Sequence, residues 1–193
     1  IDLPGHGESK GSSSNKIESY SQFLIDALEA YDLQNLSLCG HSMGGLVALD
    51  MVLNHNFVAK EVILVNSIYP TRVADALLAK AKAGNGDAAN FIIKYGLYRR
   101  LLGMRNAFSE ADDLVMLDDL DACNNYELDL NDIKNAEIPI SIILGSKDRL
   151  VDLKAVENFT DIVPSQTYTM DEVGHFSFFE DPEELSRLIS KIV

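Results

Sequence analysis

Ser42 lies in the stretch CGHSMGGLVALD, residues 39–50, with Gly40 and Gly44 on either side of it. An apolar run precedes the serine and a helix-forming run follows it, which places it at a predicted strand-to-helix turn. A serine hydroxyl becomes a good nucleophile only when a neighbouring base takes its proton and a carboxylate orients that base. The short motif alone is a hypothesis, and the rest of the chain must supply both partners.

Candidate partners follow later predicted strands. Asp148 lies in GSKDRLVD after one apolar run, and His175 lies in VGHFSFFEDPEEL after the last predicted strand. Open α/β sheets place their sites at the carboxyl ends of the strands, so Ser42, Asp148 and His175 are expected to meet there. Asp152 is a competing acid, whereas Asn66, after the preceding strand, offers no carboxylate.

Taken in order, these stretches resemble the α/β-hydrolase superfamily over nearly the whole chain. DLPGHGES is similar to the loop after the family's fourth strand, GHSMGG to its nucleophile elbow, GSKDRLVD to its acid loop and VGHFSFFEDPEEL to its histidine loop. The resemblance implies Ser42 as nucleophile, Asp148 as acid and His175 as general base. It also implies hydrolysis of an ester, thioester or related acyl bond through an acyl-enzyme, with no cofactor and no metal.

The predicted turn gives the flanking glycines a physical role. Such a turn is sharp and strained, and side chains on Gly40 and Gly44 are expected to collide across it. The following helix begins near Met43 and points its first N–H groups at the reacting centre, so the Met43 N–H is an expected oxyanion donor.

The second oxyanion donor has no counterpart in this sequence. In the family it comes from a loop after the third strand, and both that loop and that strand would lie upstream of Ile1. Losing one such donor costs about 10² to 10³ in rate. We therefore expect the chain to be a fragment, a processed product, or one partner of a pair that supplies the segment.

Composition excludes several function classes. The chain has 193 residues, 47% hydrophobic and 24% charged, as expected for one globular core with an insertion. A formal net charge of −14 argues against binding to a nucleic-acid backbone. No apolar run approaches the roughly 20 residues that span a bilayer. Cys39 and Cys123 form no disulfide framework or metal clip, which favours a reducing compartment, the cytoplasm, and Cys39 is expected to be a small buried hydrophobe.

Short β-like runs alternate with amphipathic helical runs, which predicts an α/β domain with a mostly parallel sheet and flanking helices. Strands are predicted at residues 36–39, 62–65, 140–144 and 166–170. Helices are predicted at 17–32, 44–53, 153–163 and 182–193, the last with Asp181 as its N-cap and Pro182 at its first position.

Residues 70–132 show no strand pattern and are predicted to form a helical cap between two parts of the core, 1–69 and 133–193. The cap helices are predicted at 71–83, at 88–102 and from Ser109, where Asp112 completes a capping box. Clustered aspartates predict a solvated face and not a metal site: Asp112, Asp113, Asp118, Asp119 and Asp121. Another group either lines an acyl pocket or forms the core of the cap: Phe91, Tyr95, Tyr98, Leu101, Leu102 and Met104.

The remaining histidines have structural interpretations. His41 is expected to pack beside the turn, because its side chain points to a different side of the turn from that of Ser42. His6 sits in a glycine-flanked loop at the rim of the predicted site, where a substrate contact is the minority interpretation, and His55 is predicted on the surface near a helix end.

These observations favour a serine hydrolase acting on a small carboxylic ester, with a small-molecule acyl substrate and no nucleic-acid partner. The same three residues also serve lactonases, carbon–carbon bond hydrolases, peptidases and acyl transferases. A non-catalytic ligand-binding module on the same fold is the alternative from another class, because one fold hosts unrelated functions.

Overall fold

The structure is a computed structural model and describes residues 1–31, 33, 35–99 and 112–193. Within these ranges, four strands form one sheet: β1 Ser37–His41, β2 Glu61–Val65, β3 Ile140–Gly145 and β4 Gln166–Met170. The strands lie in the order β1-β2-β3-β4, and each neighbouring pair is parallel. The predicted α/β class with a parallel sheet and flanking helices is confirmed.

The helices of the described residues fill the connections between strands and the two ends of the chain. In chain order they are α1 Ile17–Ala30, α2 Met43–Leu53, α3 Asp75–Ala83, α4 Asp87–Gly96, α5 Asp113–Asn125, α6 Leu130–Asn135, α7 Leu153–Ile162, α8 Ser177–Glu180 and α9 Pro182–Ile192. None of these helices is long and apolar enough to cross a bilayer. Asp181 caps α9 by accepting the Glu184 N–H, with Pro182 at the first position, as predicted.

The two central strands, β2 and β3, are buried on both faces, which explains their continuous apolar character. Val62 and Leu64 of β2 face the larger core beneath α2 and α7. Ile63 and Val65 of the same strand face the opposite way and pack with Leu185 of α9. The alternation follows from the two-residue period of a strand.

The first strand lies at one edge of the sheet formed by the described residues, and this corrects one prediction. Cys39 was expected to be buried, but its side chain is exposed. Cys39 pairs in register with Ile63, so it lies on the face that α9 covers over the central strands. Because α9 does not extend over the edge strand β1, the thiol of Cys39 remains accessible.

The helices between β2 and β3 have a small core of their own. Leu77, Ala81 and Ala88 are buried there, with Phe91 and Leu120 packed against them. The predicted helices differ from the observed ones: α3 begins four residues later than expected, and α4 ends at residue 96 and not at 102. The predicted capping box at Ser109 lies outside the described residues, and Asp112 caps α5 directly by accepting the Leu114 N–H at 2.8 Å.

A buried carboxylate ties α5 to the core. Asp50 of α2 is fully buried and accepts hydrogen bonds from Tyr126 Oη at 2.9 Å, from Asn54 Nδ2 at 2.6 Å and from the Ser21 hydroxyl. His55 Nε2 lies 3.2 Å from the same carboxylate. The prediction for His55 is therefore half right: it lies near the end of α2, but its ring turns inward toward Asp50.

Candidate active site

Ser42 connects β1 to α2 with backbone angles of φ 50° and ψ −119°. A positive φ is strained for a residue with a side chain and is kept only when the surroundings hold it. Here the Ser42 N–H donates to the carbonyl of Val65 at 3.0 Å, and the Ser42 carbonyl accepts from the Gly45 N–H at 3.0 Å and from Ser67 Oγ at 2.7 Å. The end of β2 thus fixes the serine backbone.

The glycines around Ser42 do not share one role. A side chain on Gly40 would overlap the backbone of Gly44, as predicted. Apart from its chain neighbours and the nearby backbone of its own helix, a Cβ on Gly44 would meet no described atom within 4 Å, so the expected collision at this position is wrong. The crowded position is Gly45, where a Cβ would lie 2.7 Å from the Cβ of Ser67. Gly40 and Gly45 are the glycines that the packing of the turn requires.

The structure brings His175 and Asp148 into direct contact. His175 Nδ1 lies 2.8 Å from Asp148 Oδ2, and the two side chains are 7% and 3% exposed. His175 follows β4 and Asp148 follows β3, so neighbouring parallel strands deliver both residues to the same end of the sheet. With an ionised Asp148, the Nδ1–H donates to the carboxylate and Nε2 is left as the basic nitrogen.

Hydrogen bonds keep the Asp148 carboxylate ionised in spite of its burial. Burial alone would raise the pKa of Asp148, but the hydrogen bond and charge of His175, the Leu150 N–H and the Asn66 amide together lower it below its ordinary value. The Leu150 and Val151 N–H groups donate to Oδ1 at 2.8 and 3.2 Å. The competing Asp152 instead caps α7 by accepting the Lys154 N–H at 2.9 Å.

Sequence reasoning missed the function of Asn66 as a hydrogen-bond bridge. Asn66 follows β2 with a φ of 46°, and its Nδ2 donates to Asp148 Oδ2 at 2.9 Å and to the carbonyl of Gly174 at 3.2 Å. Its Oδ1 is buried and has no hydrogen-bond partner among the described residues. The signal in the sequence was a polar residue directly after a buried apolar strand.

His41 packs against the loop that carries His175. Its Nε2 donates to the carbonyl oxygen of His175 at 2.8 Å, and its ring lies 4.8 Å from the rings of both His175 and Phe178. Burial, and then the charge of His175, lower the pKa of His41 to about 4. His41 is therefore uncharged at neutral pH, in the packing role expected of it.

The clustered aspartates of α5 correct a further expectation, because several of them bind other segments instead of forming a purely solvated face. Asp119 accepts from Tyr20 Oη at 2.7 Å and contacts His6 Nε2 at 2.7 Å, while Asp118 accepts from Ser13 Oγ at 2.5 Å. His6 accordingly holds the N-terminal loop against α5. Within the described ranges, no group of three or more possible ligands could hold a metal ion.

A cavity of about 250 Å³ opens beside Ser42 and His175. Its walls come from the segment after β2, from α3, α4 and α5, and from the loop after β3. The lining includes Leu77, Phe91, Ile92, Tyr95, Leu120 and Asp152. Phe91 and Tyr95 thus line the cavity, and Phe91 also packs in the core of α3–α5. Tyr98 is 47% exposed and lies outside the lining, and Leu101, Leu102 and Met104 fall outside the described residues.

Arg149 fixes one wall of this cavity to the loop after β3. Its guanidinium donates to the carbonyls of Lys94 at 2.7 Å and Tyr95 at 3.3 Å, and it lies 5.3 Å from the centre of the Tyr95 ring. Carbonyls at the end of a helix carry partial negative charge, so this cation is well placed there.

Comparison with known proteins gives one family match and several remote relatives. The family described as "Alpha/beta hydrolase family" matches residues 1–188. A pimeloyl-[acyl-carrier protein] methyl ester esterase of Aromatoleum aromaticum is 25% identical over 99% of this chain and 85% of its own. The 3-oxoadipate enol-lactonase 1 of Acinetobacter baylyi is 22% identical over 100% of this chain and 76% of its own.

The fold is shared with solved hydrolases. An esterase from Exiguobacterium antarcticum superposes with a TM-score of 0.87 at 18% identity, covering 99% of this chain and 79% of that protein. At this identity the likeness shows the fold alone. The chain spans 66% of the length of a matching uncharacterized protein of Mycobacterium tuberculosis, to which it is 23% identical.

Proposed function

The chain belongs to the alpha/beta hydrolase family, and from this we propose that it is a serine hydrolase that cleaves a small carboxylic ester through an acyl-enzyme. One observation supports this above all: Ser42 and His175 line the same cavity, while His175 is hydrogen-bonded to Asp148. A nucleophile, a base and an orienting acid are the groups that acyl transfer needs in one place.

In the proposed mechanism Ser42 Oγ attacks the ester carbonyl while Nε2 of His175 takes the hydroxyl proton. Asp148 remains a carboxylate and stabilises the imidazolium through Nδ1–H. The imidazolium then gives its proton to the departing alcohol, which leaves the acyl group on Ser42. The same imidazole then deprotonates a water molecule, whose oxygen attacks the acyl carbon. The imidazolium gives this proton to the departing Ser42 Oγ, and the carboxylic acid is released.

The negative charge on the carbonyl oxygen needs a donor, and the Met43 N–H is proposed for it. Met43 is the first residue of α2, so its N–H has no partner within the helix. The positive end of the helix adds to the stabilisation of an anion at this position.

The proposed substrate is a small carboxylic ester. Helices α3–α5, proposed as the cap, cover the cavity with apolar side chains such as Leu77 and Phe91, and a volume of about 250 Å³ suits a short acyl group. The names of the esterase and lactonase relatives agree with chemistry at a carbonyl carbon. The free thiols of Cys39 and Cys123 support a cytoplasmic location.

A burst assay with p-nitrophenyl acetate to hexanoate, together with fluorophosphonate labelling, tests this function. Wild type is expected to release one p-nitrophenol per chain in the burst and to label once. Ser42→Ala is expected to lose both, with turnover at least about 10³-fold lower. Ser12→Ala, which removes a hydroxyl from the exposed N-terminal loop, is the matched control. Wild type that binds esters without turnover or labelling would instead indicate a non-catalytic binding module.

A further inference from the structure

We propose that Glu180 is a positioning residue that holds the end of α4 and the His175 loop as one unit, so that the wall of the cavity sets the position of the base. This inference rests on the proposed role of His175. Glu180 is the last residue of α8 and itself lies outside the cavity lining.

The carboxylate of Glu180 is buried and collects backbone donors from two distant segments. Glu180 is only 5% exposed. Its Oε1 accepts from the Gly174 N–H at 3.1 Å, and its Oε2 accepts from the N–H groups of Tyr98 at 3.1 Å and Arg99 at 2.9 Å. A buried carboxylate is tolerated only when its oxygens are hydrogen-bonded, and bonds to a charged acceptor are the stronger ones. Glu180 thus joins the loop before His175 to the chain that leaves α4.

The two segments also touch each other directly. The His175 N–H donates to the carbonyl of Gly96 at 2.6 Å. A Cβ on Gly96 would lie 2.6 Å from Phe176 Cε2, and a Cβ on Gly174 would overlap the carbonyl oxygen of Gly96. Gly174 is therefore required by the backbone of α4, whereas a side chain at position 96 would have to displace the Phe176 ring.

This junction connects the cavity to the base. Phe91 and Tyr95 of α4 line the cavity, and they precede Gly96 by five residues and by one residue. His175 lies on the other side of the junction, with its ring bonded to Asp148. If α4 and the His175 loop separate, Nε2 moves relative to Ser42, and misplacement by about 1 Å is enough to cost about 10²-fold in rate. A bound acyl group that presses on α4 acts on His175 through the same contacts.

Glu180→Gln tests the inference with little change in shape. The amide has one acceptor oxygen and one NH₂ group, so in either orientation an N–H donor faces another donor. Glu183→Gln, at an exposed position in the first turn of α9, is the matched control. Three quantities are compared: kcat and KM for a p-nitrophenyl ester, the thermal midpoint, and the downfield proton NMR resonance of the His175 Nδ1–H.

For Glu180→Gln we expect kcat to fall between about 10-fold and 100-fold with KM changed by less than about threefold. We also expect the His175 resonance to broaden or disappear, while Glu183→Gln matches wild type. A lower thermal midpoint with kcat and the resonance unchanged well below that midpoint would show a structural role only and overturn the proposal. The resonance does not depend on turnover, so a wild type without esterase activity refutes the proposed function and still leaves the coupling measurable.

A second pair of variants applies if Glu180→Gln does not fold. Tyr98→Pro removes only one N–H donor of the junction, and Leu97 before it is extended, as a residue preceding proline should be. Tyr98→Ala removes the same side chain but keeps the N–H. We expect kcat of Tyr98→Pro to be at least about threefold below that of Tyr98→Ala. Equal values for the two variants would overturn the proposal.

Discussion

Nε2 of His41 lies 2.8 Å from the carbonyl oxygen of His175, although the first of these residues ends β1 and the second follows β4. The bond runs over the carboxyl end of the sheet between its two outermost described strands. It adds a third restraint on His175, whose ring is held by Asp148 and whose N–H is held by Gly96. The imidazole is therefore fixed from the sheet, from the serine turn and from α4.

The low pKa of His41, about 4, predicts a pH-dependent stability. An unfolded histidine takes up a proton near pH 6.5, whereas folded His41 resists it until about pH 4. Between these values the unfolded state binds more protons, so the free energy of unfolding falls as the pH falls, by up to about 3 kcal/mol from this group. His41→Gln should lose this dependence. Urea unfolding of both proteins at pH 7, 6 and 5 measures it, and parallel pH curves would contradict it.

Asp148→Asn is expected to lower kcat by about 10³- to 10⁴-fold. An asparagine cannot stabilise the imidazolium, and its amide competes for the Nδ1 position. Asp152→Asn should lose less than tenfold, since asparagine also caps a helix well. The burst assay with p-nitrophenyl acetate compares the two variants. A larger loss of kcat in Asp152→Asn than in Asp148→Asn would show that Asp148 is not the catalytic acid.

Substitution of two neighbouring glycines, Gly44 and Gly45, by alanine is expected to change the stability in opposite directions. Gly44→Ala places its methyl group where no described atom lies within 4 Å apart from its chain neighbours and the nearby backbone of its own helix. Because alanine is favoured over glycine in a helix, we expect the substitution to stabilise the protein by about 0.5–1 kcal/mol. Gly45→Ala drives a methyl group against Ser67 and should destabilise it by about 1–3 kcal/mol. The free energy of unfolding in urea distinguishes them, and equal losses at both positions would refute the packing described for the turn.

A bulky side chain introduced on α4 beside the cavity is expected to affect long acyl substrates more than short ones. Ile92→Trp fills space in the lining, and it should raise KM for p-nitrophenyl hexanoate at least about tenfold more than KM for the acetate. Ile93→Trp adds the same bulk to the next residue of the helix, which is outside the lining, and serves as the control. If both substitutions affect acetate and hexanoate equally, the acyl group is bound elsewhere.

Much of the scaffold was predictable from local patterns. The strand at Glu61–Val65 has a continuous apolar run, and such β-like runs, not all of them apolar, placed the four strands of the described residues to within two residues. That Ser42, Asp148 and His175 follow the carboxyl ends of strands was expected from a general property of parallel sheets. In the structure Ser42 and His175 line one cavity, and His175 bonds to Asp148. Their catalytic roles remain predictions, which the variants above test.

The missed features depend on contacts that residue types do not encode. Glu180 bonds to the Tyr98 N–H across 82 residues, and every residue except proline carries such a donor. α4 stops at Gly96 although a helix-forming run continues, because the chain turns toward Glu180. Cys39 is exposed because its strand lies at the edge of the sheet. The sequence of an apolar strand does not tell whether the strand lies at the edge or at the centre.

The sheet order repeats the order of the chain, since β1, β2, β3 and β4 are neighbours in sequence. A nascent polypeptide can therefore add its strands one after another at a single growing margin, with no strand inserted between two earlier ones. Ser42 emerges from the ribosome with the first of them and His175 only after the last. If Ser42 has the role proposed for it, its hydroxyl is unreactive until His175 has been synthesised, and its first reaction with a covalent probe reports that β1 to β4 have assembled.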